Sequence, residues 1–293
     1  MKRILCLSGG GVRGMSQVMV LKRLEEDFGQ PLHKIYDLVI GTSVGAINAA
    51  IISTGKMSMH ELSVKYPDMI KRVFKRRGLL RIPRYDRDNF FNIWSDIVGG
   101  FYFSDSKTKL MITSVDLVTD TNIYYKSWKS YQFNYLLSTI VSRSFAAPLY
   151  FGKINDPILQ QVYSDGGIGN ANLPLNEAKL QADAFGWNSI QIDAIGTLYD
   201  DYTPSYNEVA NGRWLKHLMN YLDPSNGGLA RAQSKNDQIR MMSYMCKYNP
   251  SIKFRYWDCG VNKKYIKMDK IKYLRDYERY GILMSKEPII TYN

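Results

Sequence analysis

The sequence has no long hydrophobic run. Within its 293 residues, no apolar stretch approaches the roughly 18–20 residues that a membrane-spanning helix requires. Behind Lys2 and Arg3 the apolar run extends only from Ile4 to Leu7. This run is shorter than the core of a secretory signal, which takes about 7–15 residues. The sequence therefore favours a cytoplasmic protein over a helical membrane protein or a secreted one.

Cysteine and histidine are also scarce. The three cysteines lack paired spacing, which favours reduced thiols over a disulfide framework: Cys6, Cys246 and Cys259. The three histidines are just as scattered: His33, His60 and His217. Because zinc sites need clustered nitrogen and sulfur ligands, this spacing gives no indication of one. The sequence also shows no internal repeat and no low-complexity tract.

Acidic residues are fewer than basic ones. Lysine and arginine outnumber the acids by 39 to 27, which gives a net charge of +12. This surplus indicates an anionic partner, either a nucleic acid or an anionic membrane surface, unless the surface is simply basic and solvated. The 22 tyrosines suit a membrane interface as well as base stacking. A hydrophobic content of 45% is ordinary for a globular protein that buries a full core.

A Gly-x-Ser-x-Gly motif follows a short apolar run. Leu38–Ile40 predicts a buried strand, and a helix pattern rich in small residues begins at Ala46. The motif between them is Gly41, Thr42, Ser43, Val44 and Gly45. Strand, tight turn and helix are the context of a nucleophile elbow, in which the serine hydroxyl projects above the sheet. The pentapeptide alone fits an ordinary strand-to-helix turn equally well.

A glycine-rich loop follows the first predicted strand, residues 3–7. The loop comprises Gly9, Gly10, Gly11, Val12, Arg13 and Gly14. Its spacing matches a dinucleotide-binding loop, but that reading needs an acid at the end of the second strand, where this chain has the serine motif. A phosphate loop would need Gly-Lys-Ser/Thr, which is absent. Free amides in such a loop also suit an oxyanion hole beside an esterase serine.

A serine nucleophile needs a base, and the histidines are poorly placed for that role because none follows a predicted core strand. Asp165 does end a predicted strand, and Gly166 and Gly167 come directly after it. An aspartate in a poorly solvated site is basic enough to take the serine proton. In isolation, Asp165 also fits an Asx turn at a strand end.

The predicted elements open in the order βαβα, which indicates a parallel sheet covered on both faces. Further strands are predicted at 109–116, 122–126, 161–165 and 189–196, and the last of these is expected to be the final core strand. Helices are predicted at 59–76, 88–98 and 131–143. Beyond residue 205 the pattern is helical and peripheral (214–222, 229–248 and 270–285), interrupted by one strand-like run at 252–257.

Three blocks together resemble the signatures of the patatin-like phospholipase family, in the family's order. They are the glycine-rich loop Gly9–Gly14, the motif Gly41–Gly45 and Asp165-Gly166-Gly167. Residues 143–148 resemble the family's Ser-x-Ala-x-Pro segment, and Asn170 with Pro174 resembles the Asn-x-x-x-Pro that follows its Asp-Gly-Gly. The resemblance covers roughly residues 1–200 and does not extend to residues 56–108 or beyond about 205.

The resemblance implies a three-layer α/β fold and a hydrolase with a Ser–Asp dyad. Ser43 would attack an acyl ester, Asp165 would accept its proton, and the glycine-rich loop would form the oxyanion hole, chiefly through the amides of Gly10 and Gly11 with Val12. Arg13 would brace the loop, with contact to a phosphate as the alternative. The family acts on glycerophospholipids and related acyl esters, and the resemblance implies no metal and no other cofactor.

The domain organisation follows from the same resemblance. We expect a catalytic domain over residues 1–204 and a mainly helical part over 205–293 packed on it. The segment 56–108 is expected to be an insertion that serves as a lid or docks on a membrane, with an ordinary solvated helix pair as the alternative. It carries a group of lysines and arginines that we name the basic cluster: Lys71, Arg72, Lys75, Arg76, Arg77, Arg81, Arg84 and Arg87.

Two other functions fit the sequence. One is a lipase effector of a defence or host-interaction system that degrades membranes when a signal activates it. The other is a nucleic-acid-binding or anionic-surface-binding protein built on a hydrolase scaffold, which the complete dyad disfavours. The expected partners are an acyl-ester lipid and, peripherally, an anionic membrane rather than a nucleic acid. A homo-oligomer remains open.

Overall fold

The computed structural model describes residues 1–78, 81–201, 206, 210 and 228–293. Its strands are β1 (Lys2–Leu7), β2 (Leu38–Gly41), β3 (Lys109–Asp116), β4 (Thr121–Lys126), β5 (Ile154–Asp156), β6 (Gln161–Asp165), β7 (Ile190–Ile195), β8 (Tyr199–Asp200), β9 (Ile252–Trp257), β10 (Gly260–Val261) and β11 (Ile290–Tyr292). Its helices are α1 (Gly14–Phe28), α2 (Leu32–Ile35), α3 (Val44–Thr54), α4 (Met59–Val73), α5 (Arg87–Val98), α6 (Leu137–Ser144), α7 (Leu175–Ala184), α8 (Gly228–Tyr248) and α9 (Leu274–Met284).

The main sheet has the strand order β11-β9-β7-β1-β2-β3-β6-β5, and β4 also pairs with β3. Strands β9, β7, β1, β2 and β3 run parallel to one another. Antiparallel pairs lie at the flanks, where β11 joins β9 and where β4 and β6 join β3. The expected mainly parallel central sheet is therefore confirmed.

Alternate side chains of each central strand enter two separate cores. On β1, Leu5 and Leu7 pack with the helices of one face, whereas Ile4 and Cys6 pack with α7 and α8 on the other. Strands covered on both faces are buried throughout, which is why their sequences read as continuous apolar runs. The three-layer arrangement agrees with the expectation. Among the described helices, none combines the length and the hydrophobicity needed to span a bilayer.

Two boundaries in the sequence analysis were wrong. The strand at 190–195 is not the last of the core, because β9 pairs with it in parallel and buries Ile252, Phe254 and Tyr256. The strand-like run at 252–257 was predicted, but as an interruption in a peripheral helical region rather than as a strand of the core sheet. The helix expected at 131–143 begins only at Leu137, after a short 3-10 turn over Ser130–Gln132. The helix expected at 214–222 lies outside the described residues.

The segment 56–108 contributes to the core of the protein. Its helix α4 buries Leu62, Tyr66 and Ile70, and its helix α5 buries Phe90 and Trp94 in the same cluster as α1 and α3. A capping box at Ser58 starts α4, since the Ser58 hydroxyl and the Glu61 carboxylate each accept the other residue's backbone amide. Its role as a lid or a membrane-docking element stays a prediction.

The C-terminal helix α9 lies directly on α1. Gly281 allows the close approach, because a Cβ at that position would lie 2.6 Å from the backbone oxygen of Ser16. The buried side chains Leu274, Tyr277 and Met284 complete the contact of α9 with this core. The part of the chain from residue 228 onward is thus built into the sheet and into both helical layers, because α8 packs on the opposite face.

A buried ion pair connects β7 to β9. The Asp193 carboxylate accepts hydrogen bonds from Arg255 Nε at 2.8 Å and Arg255 Nη2 at 2.7 Å. It also accepts one from the Tyr36 hydroxyl at 2.7 Å. The Asp193 side chain is fully buried, whereas that of Arg255 is 26% exposed. Bidentate geometry and a third donor satisfy this carboxylate away from water.

We expect Asp193→Ala to lower the free energy of unfolding by about 3–5 kcal/mol, because it leaves the Arg255 guanidinium largely buried without its carboxylate. Denaturant unfolding followed by circular dichroism measures the loss. Asp27→Ala is the matched control, since Asp27 forms an exposed helical pair with Arg23. That change should cost about 0–1 kcal/mol. Equal effects of the two substitutions would contradict the structural role of Asp193.

Candidate active site

Ser43 lies on a strained turn between β2 and α3. Its backbone has φ 55° and ψ −121°, a combination that side-chain-bearing residues rarely adopt. Gly41 and Gly45 make the turn sterically feasible. A Cβ at Gly41 would lie 2.3 Å from the Gly45 backbone oxygen, and one at Gly45 would lie 2.3 Å from that of Leu7. The structure therefore forms the elbow that the motif predicts.

Neighbouring hydroxyls hold the turn in place. The Ser43 amide donates to the hydroxyl of Ser144, at the end of α6, at 2.9 Å. The Thr42 hydroxyl donates to the backbone oxygen of Ala171 at 2.6 Å and lies 2.7 Å from the hydroxyl of Thr113. Hydrogen bonds to β3, to α6 and to the loop after β6 therefore hold the strained backbone at Ser43 in place.

The glycine-rich loop follows β1 and lies against the elbow. A Cβ at Gly9 would lie 3.1 Å from the Cβ of Ser43, so the two turns are in direct contact. The buried Arg13 guanidinium donates to the backbone oxygens of Gly10 and Leu198, each at 3.2 Å. The Thr197 hydroxyl donates to the Gly9 oxygen at 2.7 Å. These bonds favour the bracing role for Arg13.

Only part of the loop offers amides to a ligand. The Gly9 amide donates to the Asn172 oxygen at 3.2 Å, and the Val12 amide donates to the Met268 oxygen at 2.9 Å. The amides of Arg13 and Gly14 donate back into the loop itself. Within the described part of the chain, the amides of Gly10 and Gly11 donate to no other group. Of the six residues expected to form an oxyanion hole, these two therefore remain as donors.

Asp165 is the last residue of β6. The register of the sheet places it at the same height along the strands as Ser43. Gly41 pairs with Ile112 on β3, and Ser114, two residues further on, pairs with Asp165. The Asp165 carboxylate accepts the Gly167 amide at 2.7 Å. A Cβ at Gly166 would lie 2.2 Å from the Thr113 hydroxyl oxygen, so that position requires glycine. Asp165 is 6% exposed and Ser43 is 7% exposed.

Ser43 and Asp165 line one narrow cleft at this edge of the sheet. Its lining is Gly9, Gly10, Ser43, Ala147, Pro148, Leu149, Tyr150, Asp165, Gly167, Ile168, Asn172 and Met268. The enclosed space has room for about one water molecule. Sequence reasoning did not assign five of these residues to the site: Leu149, Tyr150, Ile168, Asn172 and Met268. Asn170, which the resemblance to the family singles out, is exposed and is not among the residues that line the cleft. No local pattern pointed to Met268.

The described histidines lie away from the cleft. His33 lines a larger polar cavity with Lys34 and Lys107. Burial lowers the pKa of His33, and the charges of these two lysines lower it further. His60 is exposed on α4, and His217 lies outside the described residues. Among the described residues, no group of three or more histidine, cysteine, aspartate or glutamate side chains is arranged to hold a metal ion.

A model of the patatin-like phospholipase family matches residues 5–179, which is well over half of the chain. The chain belongs to the patatin-like phospholipase family. The match includes the glycine-rich loop, the elbow and Asp165, so the recognition made from those motifs is confirmed. Patatin-like phospholipases are serine hydrolases.

Among curated relatives, the chain is 28% identical over 240 residues to a cGAMP-activated phospholipase of Escherichia coli. That alignment covers 72% of this chain and 66% of the relative. A cGAMP-activated phospholipase of Pseudomonas aeruginosa is 27% identical over 213 residues, with 67% and 62% covered. The chain therefore spans about two thirds of the length of these patatin-like relatives.

A solved structure supports the fold. The crystal structure of VipD from Legionella pneumophila matches 97% of this chain and 66% of its own, with a TM-score of 0.53 and 12% sequence identity. At that identity the likeness concerns the fold alone. It extends beyond the family match into the C-terminal part, in agreement with the incorporation of β9 into the sheet.

We expect Ser43→Gly to be more stable than Ser43→Ala by about 1 kcal/mol, because glycine adopts the backbone angles of the elbow without strain. Denaturant unfolding of both variants checks this. Ser53 in α3 provides the matched pair, since it has helical backbone angles. There the glycine variant should be the less stable one, by about 0.5–1 kcal/mol. The same sign at both positions would contradict strain at Ser43.

Proposed function

We propose that this protein is a lipid acyl hydrolase of the phospholipase A or lysophospholipase type. The observation that carries the proposal is the joint placement of Ser43 and Asp165 at one cleft, with the unengaged amides of Gly10 and Gly11 in the loop beside them. A strained serine turn, a buried carboxylate level with it and a loop of free donors are the components that acyl transfer requires. A binding module would have no use for this combination. Family membership supports glycerophospholipids as the substrate class.

The proposed reaction has two halves. Asp165 takes the proton of the Ser43 hydroxyl as its oxygen bonds to the ester carbonyl carbon. The amides of Gly10 and Gly11 stabilise the resulting oxyanion. As the intermediate collapses, the ester C–O bond breaks and Asp165 returns the proton to the leaving alcohol. Asp165 then takes a proton from water, whose oxygen attacks the acyl-enzyme, and the fatty acid leaves as Ser43 recovers its proton.

We expect Ser43→Ala to reduce hydrolysis of a short soluble acyl ester to background. Asp165→Asn should lower the rate by about 100-fold to 10,000-fold, the range of a general base. Turnover measured at neutral pH on folded protein checks both. As a control, His33→Gln with His60→Gln should keep the rate within about twofold, because neither side chain lines the cleft. Wild-type turnover by Asp165→Asn would show that another group is the base.

The position of the basic cluster supports membrane docking. Arg76 and Tyr85 form an antiparallel bridge, and we name the two described segments that it joins, residues 76–78 and 81–85, the hairpin. The hairpin rests on the rim of the cleft, since the Arg84 amide donates to Leu149 at 3.2 Å and the Tyr85 amide donates to Tyr150 at 2.9 Å. In the second of these segments, Ile82 is 75% exposed. The cluster comprises Lys71, Arg72, Lys75, Arg76, Arg77, Arg81, Arg84 and Arg87.

An exposed apolar side chain among cations suits the surface of an anionic bilayer. The isoleucine enters the interface while the arginines attract lipid phosphates. Because the hairpin adjoins Leu149 and Tyr150, docking there would bring the cleft to the lipid. We therefore propose that the basic cluster is the membrane-docking element, which makes the protein peripheral at anionic membranes.

Reversing Arg77 and Arg81 to Glu should lower hydrolysis of anionic phospholipid vesicles by roughly 30-fold or more, since each cation contributes about 1 kcal/mol at such a surface. Vesicle assays at several salt concentrations measure it, and salt should reproduce the loss in the wild type. Hydrolysis of a soluble ester should not change.

The matched control is Arg240→Glu with Lys247→Glu on α8, on the opposite helical layer. That variant should hydrolyse vesicles at nearly the wild-type rate. Equal losses by both double variants would indicate that net charge matters rather than the basic cluster. Equal losses on vesicles and on the soluble ester would mean that the hairpin supports the cleft instead.

The second candidate function is a signal-activated form of the same enzyme, a membrane-degrading effector. The narrowness of the cleft favours it, because a phospholipid acyl group needs far more space than one water molecule occupies. The relatives from Escherichia coli and Pseudomonas aeruginosa are phospholipases activated by cGAMP. Whichever form is correct, the chemistry at Ser43 is the same, and the two differ in whether the isolated protein turns over.

A further inference from the structure

A segment far along the chain covers the glycine-rich loop. This segment, residues 262–273, precedes α9, and we name it the strap. Its Met268 lines the cleft, and the Met268 backbone oxygen accepts the Val12 amide at 2.9 Å. A Cβ at Gly11 would lie 2.3 Å from the same oxygen, so the strap presses directly on the loop. Access to the oxyanion donors therefore depends on where the strap lies.

The residue after Met268 fastens the strap to the basic cluster. The Asp269 carboxylate accepts the Tyr85 hydroxyl at 3.0 Å and Arg84 Nη1 at 3.3 Å. Arg76 Nη2 lies 4.0 Å from the same carboxylate oxygen. The Asp269 side chain is only 3% exposed, whereas those of Arg84 and Arg76 are 43% and 50% exposed. The carboxylate is thus buried beneath two cations that solvent can reach.

The composition of the strap makes the Asp269 contact the main electrostatic attraction between the strap and the basic cluster. Asp269 is its single acid, and five lysines surround it in sequence: Lys263, Lys264, Lys267, Lys270 and Lys272. Lysines repel the arginines of the basic cluster, so this carboxylate supplies the electrostatic attraction between two positively charged segments. Loss of that attraction leaves a net electrostatic repulsion between the strap and the cluster around Asp269, while Ile266 still anchors the start of the strap in the core. The strap is consequently poised to separate from the hairpin.

The donors around Asp269 match a phosphate group. Two guanidinium groups and a phenol converge on one anionic oxygen, and arginine pairs with phosphate as readily as with carboxylate. A phosphate carries more acceptor oxygens and up to twice the charge of a carboxylate, so it competes for the same donors. The exposed faces of Arg76 and Arg84 provide the entry.

We propose that Arg76, Arg84 and Tyr85 form a phosphate-binding site that the Asp269 carboxylate fills in this structure. A phosphate-bearing ligand displaces Asp269, and the strap then withdraws Met268 from the cleft and the Val12 amide. The ligand is either a lipid headgroup or a soluble phosphate compound. The binding step is independent of the proposed function, whereas its effect on catalysis rests on it.

Hydrogen exchange of the Val12 amide tests the strap directly and needs no activity. Asp269→Asn should accelerate exchange of this amide by about tenfold or more, because it removes a charge-assisted contact. Asp276→Asn in α9 is the matched control and should leave exchange unchanged. Tyr85→Phe, which removes one donor only, should give a smaller acceleration and serves if Asp269→Asn does not fold. Unchanged exchange in both Asp269→Asn and Tyr85→Phe would overturn the proposal.

Inorganic pyrophosphate is the soluble probe. It should accelerate Val12 exchange in the wild type saturably, and it should do so in Asp276→Asn but not in Arg76→Ala with Arg84→Ala. Vesicles of ether-linked phosphatidylglycerol, which contain no acyl ester, are the lipid probe. They should raise hydrolysis of a soluble ester if the headgroup is the ligand. A response to pyrophosphate alone identifies a soluble ligand, and no response to either probe overturns the site.

Exchanging the two charges of the Asp269–Arg84 pair tests the contact between strap and basic cluster separately from phosphate binding. Arg84→Asp with Asp269→Arg should restore slow exchange at Val12, because the attraction is re-formed with the charges reversed. The same variant should no longer respond to pyrophosphate. If the wild type shows the exchange response but hydrolyses no ester, the phosphate site stands and the proposed function fails. If pyrophosphate acts equally on this variant and the wild type, the assigned donors are wrong.

Discussion

The candidate site depends on two strand-to-helix turns that lie almost in atomic contact. The glycine-rich loop after β1 and the elbow after β2 stand side by side because those strands are neighbours in a parallel sheet. A side chain at Gly9 would meet Ser43, and one at Gly45 would meet Leu7. Neighbouring parallel strands end at the same edge, so the sheet delivers both turns to one place. The sheet places the two turns side by side, and the hydrogen bonds of Arg13, Thr197 and Ser144 hold them in that position.

This constraint explains what could be predicted from the sequence. The spacing of glycines around Ser43 and in the loop follows from local backbone geometry, and the three motifs together distinguished this site from ordinary turns. Asp165 was recognisable for the same reason, since a strand end followed by two glycines is a local pattern. The parallel sheet followed from the alternation of strands and helices. Each of these features depends on residues that are close together in the sequence.

The features that sequence reasoning missed depend on contacts between distant residues. The strand-like run at 252–257 was predicted, but its place in the core sheet depends on β7, where Asp193 satisfies Arg255. The hydrogen bond from the Val12 amide to Met268 joins the first loop of the chain to a segment close to its last helix. No local pattern signals such a contact. The position of Asn172 in the cleft was not predicted either, because the backbone path after β6 decides which side chain meets the cleft.

Buried carboxylates in the second half of the chain act as attachment points in a protein with surplus positive charge. Asp193 holds Arg255, Asp258 holds Lys235 at 2.8 Å, and Asp269 holds Arg84 at 3.3 Å. Each pair fastens a different element, namely the strand β9, the helix α8 and the strap. Because the acid is the buried partner in every case, the cations remain nearer the surface. The charge distribution that favours an anionic partner thus also holds the C-terminal part in place.

The close approach of α9 to α1 through Gly281 has a consequence for how this chain can be divided. The family match ends at residue 179, yet the fold does not end there. A shortened chain lacking β9 and α9 would leave β7 as an open edge and would expose the apolar side of α1. Open edges and uncovered apolar helices recruit other chains, so such a fragment would aggregate rather than fold alone. Sequence similarity and the smallest autonomous folding unit therefore have different boundaries in this protein.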